Sequence, residues 1–198
     1  MSGNVPSRNG AMHFGLSEEQ LAYQDAARSF ARGEMAPHAA RWDETCEFPL
    51  QTIARAGEMG FCGLYTPQAL GGLGLSRLDA SIILEELAAG CTSTAAYITI
   101  HNMVTWMVAT WAQERFARAW VPLLAAGRKL GSYCLTEPGS GSDAAALRTT
   151  ARLDGDHYIV SGTKQFISGG GVNDIYVTMV RTGEAGPKGI SCLVIERD

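Results

Sequence analysis

The sequence has 198 residues, of which 46% are hydrophobic and 18% charged, and its formal net charge is −4. This composition predicts a packed core rather than a disordered chain, and the negative charge argues against nucleic acid or anionic membranes as partners. The five cysteines are odd in number, widely spaced and without a Cys-x-x-Cys pair. We therefore expect no disulfide framework, no metal site and a reducing compartment.

The first part of the chain predicts helices. Residues 1–15 are expected to be a loose tail. Residues 1–12 contain one arginine and no apolar run, so they do not read as a secretory signal or a transit peptide. Ser17 and Gln20 have the spacing of a capping box, so a helix should begin there. Pro37 should kink or stop that helix, and Pro49 should open the next one.

A glycine run at residues 71–74 separates these helices from the next two. It lacks the preceding strand and the Gly-Lys-Ser/Thr ending of a phosphate-binding loop, so a tight bend is the preferred interpretation. Ser76 then starts a helix on which adjacent Glu85 and Glu86 suit a solvated face better than a paired acid and base. The apolar face of that helix should hold Leu78, Ile82, Ile83 and Leu87.

The helix predicted over residues 92–112 is apolar on nearly all sides. We interpret it as a helix covered by other helices and not as a membrane span. His101 and Asn102 interrupt it, either as hydrogen-bonded core residues or as the border of a pocket. A short amphipathic helix comes next and ends at Gly127.

From Leu130 the apolar period falls to two, which predicts strands. The fold class expected is α+β, an N-terminal all-helical domain at residues 16–128 followed by an antiparallel β domain at residues 129–198. Because a strand is still predicted two residues before the end, we expect the β domain to be incomplete. The predicted strands are 130–135, 147–153, 157–160 or 157–167, 175–180 and 190–195, with a hairpin at Asp154-Gly155-Asp156.

Residues 133–143, here called the first segment, mark the change from helices to strands. They read Tyr-Cys-Leu-Thr-Glu-Pro-Gly-Ser-Gly-Ser-Asp. Successive backbone N–H groups in a Gly/Ser turn form a concave nest for anions, and loops held by packed regions often carry function. The alternative interpretation is an ordinary turn between domains.

The first segment and residues 162–169, the second segment, resemble the two flavin-binding segments of the acyl-CoA dehydrogenase family. The second segment reads Gly-Thr-Lys-Gln-Phe-Ile-Ser-Gly. The bend at residues 71–74 also resembles the family's Gly-Gly-x-Gly bend, and the likeness covers about residues 14–196. The first segment and the Gly-Pro-Lys-Gly-Ile-Ser-Cys wording at residues 186–192 most resemble the branch that acts on isobutyryl-CoA.

This resemblance implies FAD-dependent α,β-dehydrogenation of a short-chain or branched-chain acyl-CoA, with electrons passed to an electron-transfer flavoprotein. It implies a homo-oligomer, usually a tetramer. The net charge and the interrupted apolar helix predict no nucleic-acid partner and no membrane insertion. The family's third domain is a C-terminal helical domain that carries the catalytic glutamate. We expect that domain to be absent here, so that this chain holds no catalytic residue and is inactive alone. Arginine far outnumbers lysine and alanine is abundant, which indicates a GC-rich bacterial gene. With no targeting segment in the sequence, a bacterial cytoplasmic protein is expected, or a mitochondrial-matrix protein in a eukaryote.

The resemblance also implies the site residues. Thr136 would bring its hydroxyl near flavin N5, Gly141 would turn at the pyrophosphate, and Ser142 would also touch the CoA part of the substrate. The acyl pocket is expected near Tyr97 and His101. The cofactor-binding set is Tyr133, Cys134, Leu135, Thr136, Gly141, Ser142, Phe166, Ile167 and Ser168.

Some assignments stay open. Phe166 stands where the family often has tryptophan. Phenylalanine keeps a stacking face but lacks the indole N–H donor. The alternative interpretation of Phe166 is a core aromatic. Neither acid of the first segment matches the family's base, so Glu137 should brace the turn and Asp143 should cap the residues after it. Two other functions remain, a non-catalytic fragment or interaction module of this fold and a flavin oxidase or monooxygenase relative.

Overall fold

The computed structural model describes residues 15–197, so the predicted tail falls almost wholly outside the described residues. The helices are α1 (Glu18–Phe30), α2 (Ala36–Thr45), α3 (Leu50–Glu58), α4 (Arg77–Gly90), α5 (Thr92–Trp111) and α6 (Glu114–Ala125). The strands are β1 (Gly131–Cys134), β2 (Thr150–Asp154), β3 (His157–Ser161), β4 (Ile175–Arg181) and β5 (Ile190–Glu196). Helices followed by a sheet confirm the α+β class.

The predicted helix starts and the bend are confirmed. Ser17 and Gln20 form a complete capping box before α1, and Ser76 forms another with Asp79 before α4. Each box satisfies N–H groups that a helix start leaves unpaired. The bend at residues 71–74 begins with a φ of 88°, a conformation that favours glycine.

Pro37 does not end the first helix. A single π turn, Ala31–Met35, connects α1 to α2, and the Ala36 N–H donates to the Ala31 carbonyl. Pro37 then lies in the first turn of α2, where a missing N–H has no helical partner to lose. The helical path therefore continues to Thr45.

α4 packs against both α1 and α5. On α4, Leu78 was expected in the core but is 61% exposed. Glu86 is not on a solvated face, because it pairs with Arg28 of α1 at 2.7 Å, whereas Glu85 is exposed. The main buried side chains of the helical core are Ala27, Phe30, Met35, Ile53, Leu64, Ile83, Leu87 and Ile98.

α5 is buried along most of its length, but the sheet as well as other helices covers it, so the predicted cover by helices is only partly right. One side packs in the helical core, and Val104 and Val108 pack against Ile175 and Val177 of β4. A side chain at Gly131 would lie 2.5 Å from Val104, so β1 approaches α5 as closely as glycine permits. Within residues 15–197, no helix combines the length and hydropathy needed to cross a membrane.

The sheet is mixed, so the predicted antiparallel β domain is wrong. β4 pairs in parallel with β1 and antiparallel with β5, while β2 pairs antiparallel with β3. One parallel residue pair, Thr150–Arg181, joins β2 to β4. The connection from β1 to β4 is long enough for a parallel crossover and contains the second segment and the first segment from Leu135 onwards. Apolar alternation does not encode strand direction, so the sequence pattern missed it.

Two strand limits also differ from the prediction. β2 begins at Thr150 instead of 147, because a 3-10 turn, Ala144–Ala146, precedes it. β3 ends at Ser161, so the strand does not extend to 167. Residues 162–169, which follow β3, therefore form the second segment as a loop beside β1.

Candidate functional site

The two segments lie side by side. The Gln165 N–H donates to the Thr136 carbonyl at 2.8 Å. Farther along, Ser132 Oγ donates to the Ser168 carbonyl at 2.7 Å. The second segment therefore runs antiparallel to the end of β1 and to the start of the first segment.

A buried ion pair strengthens this contact. Lys164 Nζ donates to Glu137 Oε1 at 2.8 Å and to the Leu135 carbonyl at 3.0 Å, and the two charged side chains are 11% and 6% exposed. The Glu137 carboxylate also accepts the N–H groups of Arg148 and Thr149. Burial opposes ionisation, but the ammonium and these N–H groups outweigh it and lower the pKa of Glu137 to about 2. Glu137 is thus an ionised brace.

The first segment turns sharply after Glu137. Glu137 and Ser140 exchange two backbone hydrogen bonds, and Ser140 Oγ donates to the Asp143 carbonyl at 2.6 Å. The Asp143 side chain does not cap the 3-10 turn after it, contrary to the prediction. Gly141 and Ser142, which follow the sharp turn, are exposed.

Phe166 is the most exposed large apolar residue of the second segment. Its side chain is 84% exposed, so the core alternative is excluded. Its φ is 58°, a conformation that is an outlier for a bulky residue. Such outliers concentrate at ligand sites, where the surrounding structure holds them. Ile167 and Ser168 beside it are partly exposed.

The donor set of the two segments fits a flavin dinucleotide. The backbone N–H groups of Gly141, Ser142, Phe166 and Ile167 have no acceptor in the part of the chain that the structure describes. The space outside Gly141 is open. Open N–H groups on a glycine turn suit a pyrophosphate, and an exposed aromatic face suits a planar ring.

The predicted cofactor-binding residues in β1 and directly after it differ in how far they are exposed. Cys134 is buried, and this burial raises the pKa of its thiol. Tyr133 is half-buried against α5 and β4, and burial raises the pKa of its phenol. Leu135 and Thr136 are partly exposed where the strand ends.

Tyr97 lies beneath the site. Its hydroxyl donates to Asn173 Oδ1 at 3.0 Å, and Asn173 Nδ2 donates to Ser132 Oγ at 2.7 Å. Ser132 in turn holds Ser168, so a buried chain of hydrogen bonds connects α5 to the second segment. Tyr97 is 3% exposed. The structure gives its hydroxyl a supporting role, and the acyl contact that the resemblance implied stays a prediction.

His101 is also a support. The ring is fully buried, with Nε2 2.8 Å from the Leu124 carbonyl and Nδ1 3.2 Å from the Gly131 nitrogen. A neutral ring with the proton on Nε2 satisfies both contacts, and burial lowers the pKa of His101. The side chain joins α5 to α6 and β1 and has no surface to offer an acyl group. Asn102 is likewise a satisfied core residue, with three buried hydrogen bonds.

Sequence reasoning missed Ser132, Lys164 and Asn173. Their partners lie 27 to 76 positions away in the chain, so no local pattern reveals them. The only signal for Lys164 was its place inside the second segment. For Asn173 the signal was a polar residue between a glycine run and an apolar strand.

Comparisons with known proteins identify the family of the chain. The chain matches the family model of the acyl-CoA dehydrogenase N-terminal domain over residues 17–128, and that of the middle domain over residues 132–198. It is 55% identical over 183 residues to the mitochondrial isobutyryl-CoA dehydrogenase of Bos taurus, covering 92% of this chain and 44% of that protein. The Dictyostelium discoideum protein of the same name is 51% identical over 185 residues, covering 93% and 44%.

A solved structure shows the same fold. A glutaryl-CoA dehydrogenase from Mycobacterium smegmatis, in complex with FADH2, superposes with a TM-score of 0.85 at 26% identity, covering 91% of this chain and 46% of that one. The chain thus spans less than half the length of these relatives. Two family models match successive parts of the chain and together cover nearly all of it. The chain therefore belongs to the acyl-CoA dehydrogenase family.

Proposed function

We propose that this chain supplies the FAD-binding wall of an enzyme that dehydrogenates short-chain or branched-chain acyl-CoA, with isobutyryl-CoA as the first substrate to test. The observation that carries the proposal is the junction of the two segments, which places the turn with the open backbone N–H groups beside the loop with the exposed Phe166 ring. The identity to isobutyryl-CoA dehydrogenases supports the choice of thioester.

The residues would divide the cofactor between them. Backbone groups of residues 133–136 and the Thr136 hydroxyl would meet the flavin ring. Gly141 and Ser142 would hold the pyrophosphate, with Ser142 also near the CoA, and residues 166–168 would cover the ring face. When bound, FAD supplies the two-electron acceptor for a hydride from the β-carbon of the thioester. A donor near N5 stabilises the charge that develops there.

The base that removes the α-proton is a separate requirement. Glu137 is buried and ion-paired, so it is not available to a substrate. We propose that the base comes from outside the two segments and that this chain alone does not dehydrogenate. An electron-transfer flavoprotein as acceptor, a homo-oligomeric assembly, and a cytoplasmic or mitochondrial-matrix location complete the proposal, on the family resemblance.

FAD titration followed by amide NMR tests the cofactor site even when binding is weak. We expect shifts at residues 139–142 and 166–168, and none at the distant Gly155 hairpin. A titration that moves no amide of either segment would rule the site out. Anaerobic isobutyryl-CoA should leave FAD mixed with this chain yellow, because neither segment offers a free base. Bleaching would contradict the proposal, and rapid reoxidation by air after it would favour the oxidase alternative.

A further inference from the structure

We propose that Lys164 is a positioning residue for the cofactor site. It fastens the second segment to the first, and so sets where the Phe166 ring and the open N–H groups stand relative to one another. The inference rests on the proposed function, because it assigns a supporting residue to the same site.

Lys164 is directed into the protein. Its ammonium donates to a carboxylate and a carbonyl of the first segment, on Glu137 and Leu135, and the side chain is 11% exposed. For comparison, the Lys129 side chain is 43% exposed. Burying an ammonium is costly unless its partners are well placed, so a buried lysine here needs a structural or functional reason.

The position of Lys164 in the chain supplies that reason. Lys164 precedes Phe166 by two residues, and Gln165 between them bonds to Thr136. On the other side, Glu137 starts the turn that presents Gly141. The Lys164 ammonium therefore joins the start of the loop that carries the Phe166 ring to the start of the turn that precedes Gly141.

The backbone at Phe166 makes such an anchor necessary. A φ of 58° in a bulky residue persists only when neighbouring contacts impose it. The ring itself is 84% exposed and cannot supply them. Lys164 and Gln165 make the contacts on one side of it. On the other side, the Ile167 carbonyl accepts the Gly170 N–H, and the Ser168 carbonyl accepts the Ser132 hydroxyl.

Lys164→Met tests the inference, with Lys129→Met as its matched control. Both substitutions remove an ammonium from an ion pair of nearly the same length, 2.8 Å at Lys164 and 2.7 Å at Lys129. The Lys129–Asp174 pair touches neither segment. Lys164→Arg is the conservative variant, which keeps the charge but replaces a point donor with a planar fork.

The first measurement uses flavin-free protein. Amide exchange at Gln165, read by NMR, should accelerate about tenfold or more in Lys164→Met, because a charge-assisted anchor next to it is lost. Lys164→Arg should restore part of the protection, and Lys129→Met should leave Gln165 unchanged. Equal exchange in wild type and Lys164→Met overturns the inference, whether or not the chain binds FAD.

The second measurement is the FAD titration. The dissociation constant should rise about tenfold in Lys164→Met and stay near the wild-type value in Lys129→Met. Affinity that falls equally in both variants means a general stability effect and overturns the positioning role. If wild type shows no FAD-induced shifts, the proposed function fails, while the exchange result still decides whether Lys164 sets the local structure.

Discussion

At the scale of single residues, Phe166 carries a conformational cost that its own packing does not offset. Its backbone is left-handed and its ring stands in solvent. Natural proteins retain such positions where function needs them. Stability and cofactor binding should therefore respond in opposite directions at this residue.

Phe166→Asn tests that opposition. Asparagine tolerates the left-handed conformation, so the free energy of unfolding should stay constant or rise by up to about 1 kcal/mol. FAD affinity should fall because the aromatic face is gone. Urea unfolding and FAD titration of the same preparation measure the stability and the affinity. A variant that loses several kcal/mol of stability would contradict the claim that the Phe166 backbone is strained.

Glu137 predicts a pH effect. Its pKa in the folded chain is about 2 against an ordinary 4.5, so its contribution is complete above about pH 4.5 and is lost as the pH falls towards 2. From that shift, the stability difference between wild type and Glu137→Gln should shrink by about 3 kcal/mol over this window. Urea unfolding at several pH values measures it. Glu114→Gln, at an exposed pair with Arg118, should cost little throughout.

At the scale of elements, the close crossing of the π turn and α4 depends on one glycine. A Cβ at Gly90 would lie 2.7 Å from the Ala31 carbonyl oxygen, which is backbone and cannot move aside cheaply. Gly33, in the same π turn, has open space around its Cβ position. The helix pair therefore contains a sensitive glycine and a tolerant one.

Substituting alanine at each glycine should separate the two. Gly90→Ala should destabilise the chain by about 1–3 kcal/mol through overpacking. Gly33→Ala should be neutral or stabilise by up to about 1 kcal/mol, because alanine loses less backbone entropy than glycine. Urea denaturation measures both changes in stability. Equal effects at the two positions would contradict the close contact between Gly90 and the Ala31 carbonyl.

At the scale of the whole molecule, α5 is the shared support of the helices and the sheet. His101 bonds to α6 and to β1, and Tyr97 reaches the loop before β4 through Asn173. Helical core and sheet core therefore meet on one helix. We expect the described part of the chain to unfold in a single transition.

His101→Gln should weaken this coupling. Leaving a buried N–H or carbonyl unpaired costs about 1–3 kcal/mol. In the variant, tryptophan fluorescence, which reports the helices, should therefore change at a lower urea concentration than the signals of the β4 amides. Because burial lowers the pKa of His101, wild type should also lose stability as the pH falls below about 6.5, and this loss should be absent in the variant. His157→Gln, at an exposed hairpin residue, is the control and should change neither property.

The sequence by itself determined the helix starts, the bend, the α+β order and the family, because capping, glycine turns, apolar period and the two segments are local patterns. Only the tertiary structure decided the mixed sheet and the supporting roles of Tyr97 and His101. It also revealed the Lys164–Glu137 pair and the exposure of Phe166. These features depend on which distant groups meet and on which surfaces remain uncovered, and the spacing of residues along the chain carries no record of either.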